Sequence, residues 1–178
     1  MVYFTTRDVA AVAASAALWG ILNILISPIF WQVTRMPFMC DLLAFISLIL
    51  VVWWTRKLGS VSLTGLVVTA LTLTLRPDAL FMLGFIVASI LFDVLTRAVG
   101  YKNSFESGLS GSLILILFST ICAGIAGAII GSFFMGFSTA AAILTFAGLH
   151  AVGGIIGGTI GAVLVTALMK RKILPSGR

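Results

Sequence analysis

Residues 37–57 read PFMCDLLAFISLILVVWWTRK, an apolar run that contains one acidic residue, Asp41, and ends at Arg56 and Lys57. About twenty apolar residues are what an α-helix needs to cross the hydrocarbon core of a bilayer. The rest of the chain follows the same pattern: 61% of its 178 residues are hydrophobic, only 9% are charged, and the mean hydropathy is +1.23. These values lie far from those of soluble domains and indicate an integral membrane protein.

Six such runs predict one all-α domain, 1–178, which is a bundle of six transmembrane helices. A β-barrel would need strands that alternate in hydrophobicity over about ten residues, whereas these runs are continuously apolar. We expect the first span to be a retained helix that ends near Pro28, and the last to be tilted, broken at its glycines or longer than the membrane is thick. The predicted spans are 9–29, 37–54, 60–75, 78–98, 108–134 and 139–169.

The basic residues favour alternate connections between the spans. Two of them, Arg35 and Arg76, fall on one side and nine on the other, so the positive-inside rule predicts that both termini are cytoplasmic. The net charge of +6 is then a topology signal and a contact with anionic lipid, with no role in binding nucleic acid. Trp53 and Trp54, close to Arg56, predict an interfacial aromatic belt on the inner face. The nine are Arg7, Arg56, Lys57, Arg97, Lys102, Lys170, Arg171, Lys172 and Arg178.

Motifs of enzymes and metal sites are missing from the sequence. Its two cysteines, Cys40 and Cys122, form no CxxC pair, and its single histidine is not part of an HExxH motif. A GxSxG elbow and a phosphate-binding GxxxxGK[ST] loop are also absent. We therefore expect no catalytic residues, no metal and no cofactor, so that any ATP would have to be hydrolysed by a partner protein.

The polar residues of the outer half of the membrane are the candidates for function. The third span places small and polar residues on one helix face at i, i+4, i+7 and i+11, from Gly65 to Arg76. The fourth span forms a second face with Phe81, Phe85 and Ser89. Together they predict a cavity that is open to the outside and suited to a small molecule. The predicted substrate contacts are Asn23, Trp31, Gln32, Asp41, Thr72, Arg76, Asp78, Phe81 and His150.

Several of these residues have a structural alternative. Arg76 and Asp78 would also serve as helix caps at the water interface. Asp41 is costly inside a membrane unless it is hydrated or paired, and Arg35 is its alternative partner across a turn. His150 would also form a hydrogen bond to a neighbouring helix.

Two further acidic residues are predicted to be structural. Asp93 and Arg97 have the i, i+4 spacing of an exposed or interfacial helix pair. Glu106 is expected at the start of the fifth span, where the helix dipole favours a carboxylate.

Small residues recur at four-residue spacing in spans one, five and six. Such spacing lets helix backbones approach each other closely in lipid. For spans five and six we expect packing within the bundle. The alanine strip of span one is wide enough to dock a second membrane protein as well, in one of two frames, Ala10 with Ala14 or Ala13 with Ala17.

The combination of six spans, internal termini, no ATPase motif and an alanine-rich first helix resembles the S components of energy-coupling factor (ECF) transporters. The residues Arg56–Gly59 look like the inner turn before span three in the hydroxymethylpyrimidine and thiamine group of that family. The segments Gly84–Val87, Phe92–Arg97 and Gly153–Gly161 are similar to that group as well. That group tends to carry a glutamate near the position of Thr64 and another at the position of Asp93. Because this chain departs from the group at both positions, the identity of its substrate stays open.

The resemblance implies an ABC importer of a prokaryotic plasma membrane. It implies that the protein captures a vitamin or related micronutrient from outside, associates with a transmembrane coupling protein and two ATPase subunits, and topples to release the substrate inward. It also implies that the alanines of span one dock the coupling protein and that the 28–36 connection, with Trp31 and Gln32, closes over the substrate. Two other functions stay open: a stand-alone facilitator or channel, and a membrane assembly subunit without a ligand.

Overall fold

The computed structural model describes residues 3–173 and 175, so Arg178, one of the nine basic residues above, lies outside the described residues. Within them the fold is entirely helical, with seven α-helices and no strand. The helices are α1 Thr6–Thr34, α2 Phe38–Thr55, α3 Ser60–Leu75, α4 Met82–Val99, α5 Tyr101–Glu106, α6 Leu109–Ile129, which continues as a π-helical segment Ile130–Phe134, and α7 Ala140–Lys170.

Five of these helices, namely α1, α2, α4, α6 with its π-helical segment, and α7, are long and apolar enough to cross a membrane. The prediction of an all-helical, multi-pass membrane protein is therefore confirmed. Helix α3 is apolar but has only 16 residues, or about 24 Å at 1.5 Å per residue, less than the ~30 Å of a typical hydrocarbon core. A sixth span at α3 and cytoplasmic termini stay predictions.

Helix α1 does not end near Pro28 as predicted but continues to Thr34. Proline removes one N–H from the helix, yet membrane helices tolerate this because neighbouring groups compensate for the lost hydrogen bond. The helix ends at Arg35, whose backbone is left-handed and whose N–H donates to the Trp31 carbonyl. Trp31 and Gln32 thus belong to the last turns of a helix and not to a connecting loop.

Helix α7 is a continuous helix of 31 residues without a break at its glycines. Its length of about 46 Å exceeds the thickness of a hydrocarbon core, which leaves tilt or projection as the remaining alternatives. The glycines are sites of close packing. A Cβ at Gly154 would lie 2.5 Å from the Ser119 carbonyl oxygen of α6, and one at Gly157 would lie 2.7 Å from the Leu42 carbonyl oxygen of α2.

Helix α2 is enclosed by α1, α3 and α7, and eleven of its 18 residues are buried. Trp53 is 2% exposed and packs edge-to-face on the half-buried Trp54 at a centroid distance of 5.9 Å. The predicted aromatic belt is therefore wrong for Trp53, which belongs to the core.

The N-terminal end of the bundle, where α1 begins, is held together by buried carboxylates. Asp93 does not pair with Arg97; it is fully buried and accepts hydrogen bonds from the N–H groups of Gly59 (2.8 Å) and Ser62 (3.0 Å) and from the Ser62 hydroxyl (2.8 Å). Asp8 accepts from Lys57 Nζ at 2.7 Å. Both carboxylates therefore fix the α2–α3 turn against other helices.

Glu106 lies at the C-terminal end of α5 rather than at the start of the fifth span. Its Oε1 is 2.6 Å from Arg56 Nη1. The carboxylate therefore finds its stabilisation in an ion pair with the α2–α3 turn instead of in a helix dipole.

Candidate ligand-binding cavity

A cavity of about 340 Å³ opens at the end of the bundle opposite the start of α1. Its volume lies within the range of small-molecule sites. Helices α1, α2, α3, α4 and α7 and the π-helical segment all contribute to its wall. Eight of the nine predicted substrate contacts line it: Asn23, Trp31, Gln32, Thr72, Arg76, Asp78, Phe81 and His150.

The predicted faces of α3 and α4 pack against each other and form one side of the cavity. In their lower part Gly65 contacts Ser89 so closely that a side chain would not fit. One turn above, the Thr69 hydroxyl donates to the Met82 carbonyl at 3.3 Å. Thr72 from α3 and Phe81 and Phe85 from α4 line the cavity.

Helix α1, which packs against α3, contributes a polar edge to the cavity wall. Asn23 and Ser27 are four residues apart, both are buried, and the Ser27 hydroxyl donates to Asn23 Oδ1 at 2.8 Å. The amide of Asn23 reaches Met82 Sδ of α4 at 3.5 Å, which links α1 to α4. Trp31 and Gln32 lie further along the same helix, towards the mouth.

An ion pair lies at the mouth. Arg76 Nη2 is 3.2 Å from Asp78 Oδ2, and the Asp78 side chain is 72% exposed. Arg76 also caps the C-terminus of α3, so it both ends a helix and lines the cavity. Exposed pairs of this kind contribute about 0–1 kcal/mol because water and salt screen them.

A second contact between ionisable side chains lies deep in the bundle. His150 Nδ1 is 2.7 Å from Asp41 Oδ2, and these side chains are 3% and 0% exposed. Asp41 therefore pairs with His150 and not with Arg35. It is also the one predicted substrate contact that does not line the cavity. A direct contact between Asp41 and a substrate stays a prediction.

Two glycines create the space for this pair. A Cβ at Gly153 of α7 would lie 2.8 Å from Asp41 Cβ, and a Cβ at Gly127 of α6 would lie 2.7 Å from the Cγ and Cδ2 atoms of His150. The imidazole also packs against Phe146, edge-to-face at 4.7 Å, and tilts towards Phe85 at 6.3 Å. The orientation of His150 is thus set from several sides.

Comparisons of this chain with protein-family models, with curated proteins and with solved structures find no match. In the part of the chain that the structure describes, no group of three or more His, Cys, Asp or Glu side chains is placed to hold a metal ion.

Sequence reasoning missed several residues of the cavity wall, among them Ser27, Phe146 and Ile130. The first two carried a usable signal, because they are spaced by four residues from Asn23 and His150 on the same helices. Ile130 carried none. It begins the π-helical segment, a rare feature that is frequent at functional sites and that periodicity does not reveal.

Proposed function

We propose that the protein is the substrate-binding S component of an ECF-type importer. It would capture a vitamin or a related small organic micronutrient from outside and deliver it inward with a transmembrane coupling protein and two ATPase subunits. The observation that carries this proposal is the cavity of about 340 Å³, which combines aromatic walls with a few buried polar groups. That composition suits a small organic molecule with polar substituents.

The distribution of charge supports the orientation that such a protein requires. Arg56, Lys57 and Arg97 lie at the N-terminal end of the bundle, whereas the cavity end has Arg35 and Arg76. If α3 counts as a span, the positive-inside rule places both termini in the cytoplasm of a prokaryotic cell and turns the cavity outward.

The outer face of α1 is suited to docking a second membrane protein. Ala10, Ala13, Ala14 and Ala17 are all exposed, whereas Ala16 on the opposite face is fully buried. Both alanine frames therefore belong to one strip that is turned away from the bundle. Small residues let another helix approach closely, which is the usual device for association in lipid.

The deciding experiment combines ligand identification with transport. Native mass spectrometry of the purified protein is expected to find a retained small organic compound. Uptake of that compound into vesicles is expected only when the coupling protein and active ATPases are present. Uptake without ATPases would instead identify a stand-alone facilitator. Absence of any retained compound and of any thermal shift with vitamins would favour an assembly subunit.

A second experiment tests the docking strip. We expect Ala13→Leu or Ala14→Leu to reduce co-purification of the coupling protein at least tenfold. Ala167→Leu is the matched control because Ala167 is also an exposed helical alanine, on α7. Equal loss in all three variants would refute the assignment of the strip.

A further inference from the structure

The imidazole of His150, which lines the inner part of the cavity, has a ring nitrogen, Nε2, for which the described residues provide no hydrogen-bond partner. Both ring nitrogens of His150 and both oxygens of Asp41 are buried and make no hydrogen bond that meets geometric criteria among the described residues. Nδ1 nevertheless has Asp41 Oδ2 at 2.7 Å, whereas Nε2 has no such contact with a charged group there. His150 lines the cavity, whereas its partner Asp41 lies behind it. Buried polar groups are almost always paired, and an unmade hydrogen bond of this kind is costly. The missing partner of Nε2 is therefore expected to come from a bound molecule.

The net charge of the Asp41–His150 pair determines whether Nε2 carries a proton or a lone pair. An uncompensated charge inside a membrane bundle is expensive. The other charged residues of the cavity, Arg76 and Asp78, already neutralise each other at the mouth. The Asp41–His150 pair is therefore expected to carry no net charge.

Two protonation states satisfy this condition without a proton on Asp41 Oδ1. Either a carboxylate faces an imidazolium, which carries protons on both nitrogens, or a carboxylic acid donates its proton to Nδ1. In the second state the neutral imidazole keeps its single proton on Nε2. Both of these states thus leave an N–H at Nε2. A third neutral arrangement, in which Nδ1–H donates to a protonated Asp41, would leave a lone pair at Nε2. Its carboxylic proton would then lie on Oδ1, which is buried without a partner among the described residues, and an unmade buried hydrogen bond is costly.

We propose that His150 is the residue that determines ligand specificity in this cavity, and that it donates a hydrogen bond from Nε2 to an acceptor at the innermost edge of a flat aromatic ligand. The acceptor would be a pyridine-type ring nitrogen or a carbonyl oxygen. Asp41 acts as a positioning residue, which holds Nδ1 and keeps the proton on Nε2. The proposal rests on the proposed function, because it assumes that the cavity receives a small organic ligand.

The same geometry makes the inner wall of the cavity more important for ligand preference than its mouth. A hydrogen bond to a buried donor that is otherwise unpaired discriminates strongly between ligands that have an acceptor and ligands that lack one. The Arg76–Asp78 pair is partly exposed and already formed. We therefore expect the removal of the imidazole to change ligand preference more than the removal of Arg76.

The chain has a single histidine, so protein labelled with ¹⁵N-histidine gives the imidazole signals of His150 alone. Long-range ¹H–¹⁵N NMR of the full chain in detergent reports directly which ring nitrogen is protonated. The probes are 3-(hydroxymethyl)pyridine and benzyl alcohol, which differ only in one ring nitrogen. We expect Nε2 to be protonated, and its signal to respond to the pyridine at roughly tenfold lower concentration than to benzyl alcohol.

Variants separate the roles of the two residues. The double variant Asp41→Leu with His150→Phe removes both polar partners together, which avoids leaving one buried charge unpaired. It is expected to bind both probes with equal affinity. Asp41→Asn retains a hydrogen-bond partner for Nδ1 and should keep more of the preference for the pyridine than Asp41→Ala.

The proposal is overturned if Nε2 is unprotonated, if neither probe moves the His150 signal, or if both move it equally. Any of these results can coexist with ATPase-dependent uptake of a retained compound, in which case only the assignment of His150 is wrong. Absence of both a retained compound and ATPase-dependent uptake would refute the proposed function instead.

Discussion

Replacement of Gly153 by alanine should force α2 and α7 apart. The added Cβ would lie 2.8 Å from Asp41 Cβ and would also clash with the Phe38 carbonyl oxygen. Contacts below 3.0 Å with backbone atoms cannot be relieved by rotating a side chain, so one helix must move. Overpacking of a filled interior costs about 1–3 kcal/mol.

The matched control is Gly148→Ala on the same helix. A Cβ at Gly148 would meet no atom within 4 Å. The same substitution there brings only the gain of alanine over glycine in a helix, about 0.5–1 kcal/mol. The two variants therefore have the same chemical change and opposite expected signs.

Thermal unfolding in detergent measures this difference. For a chain of this size, 1 kcal/mol corresponds to about 2–4 °C in Tm. We expect Gly153→Ala to melt about 2–12 °C below the parent protein and Gly148→Ala to melt slightly above it. A Gly153→Ala variant that melts at or above Gly148→Ala would refute the close contact between α2 and α7.

Three further predictions concern other parts of the bundle. Asp93→Ala should lose about 1–3 kcal/mol of unfolding free energy, because the half-buried donors of Gly59 and Ser62 lose their acceptor. Arg97→Ala should change it little, and equal effects of the two variants in denaturant titrations would contradict this. Burial raises the pKa of Tyr101 to about 12, so the folded state retains a proton that the unfolded chain releases above about pH 10. Stability should therefore fall from pH 10 to 12, and by less in Tyr101→Phe; identical melting curves across that window would count against it. Arg76→Ala should change the melting temperature by under about 4 °C, and a larger loss would show that the mouth pair is structural.

The fold was largely predictable because lipid imposes a simple rule on the chain. Continuous apolar runs placed α2, α3 and α7 within one residue of their observed ends. The error at Pro28 arose from a rule derived from helices in water, where a proline usually ends the helix. Trp53 was misplaced for a similar reason, since sequence alone does not tell a tryptophan at the lipid interface from one in the core of the bundle.

The cavity was predictable only as far as helix faces reveal it. The spacing of Thr72 and Arg76 on α3 and of Phe81 and Phe85 on α4 placed these pairs on common faces. No local pattern connects Asp41 with His150, which are more than one hundred residues apart in the chain. Their contact depends on which helices are neighbours and on the glycines that let those helices approach.

The three carboxylates buried in the described part of the chain differ in how well the protein compensates them. Asp8 accepts hydrogen bonds from the Thr5 N–H, the Thr5 hydroxyl and Lys57 Nζ. Asp93 accepts from two N–H groups and a hydroxyl. Asp41 Oδ2 lies 2.7 Å from His150 Nδ1, but neither oxygen of Asp41 accepts a hydrogen bond from a described residue, and His150 Nε2 has no partner there either. A structural carboxylate would be expected to resemble the first two, because burial of a charge is costly unless several donors offset it. The pairing of Asp41 and His150 thus stays incomplete within the described chain, and the proposed ligand contact at His150 Nε2 would complete it.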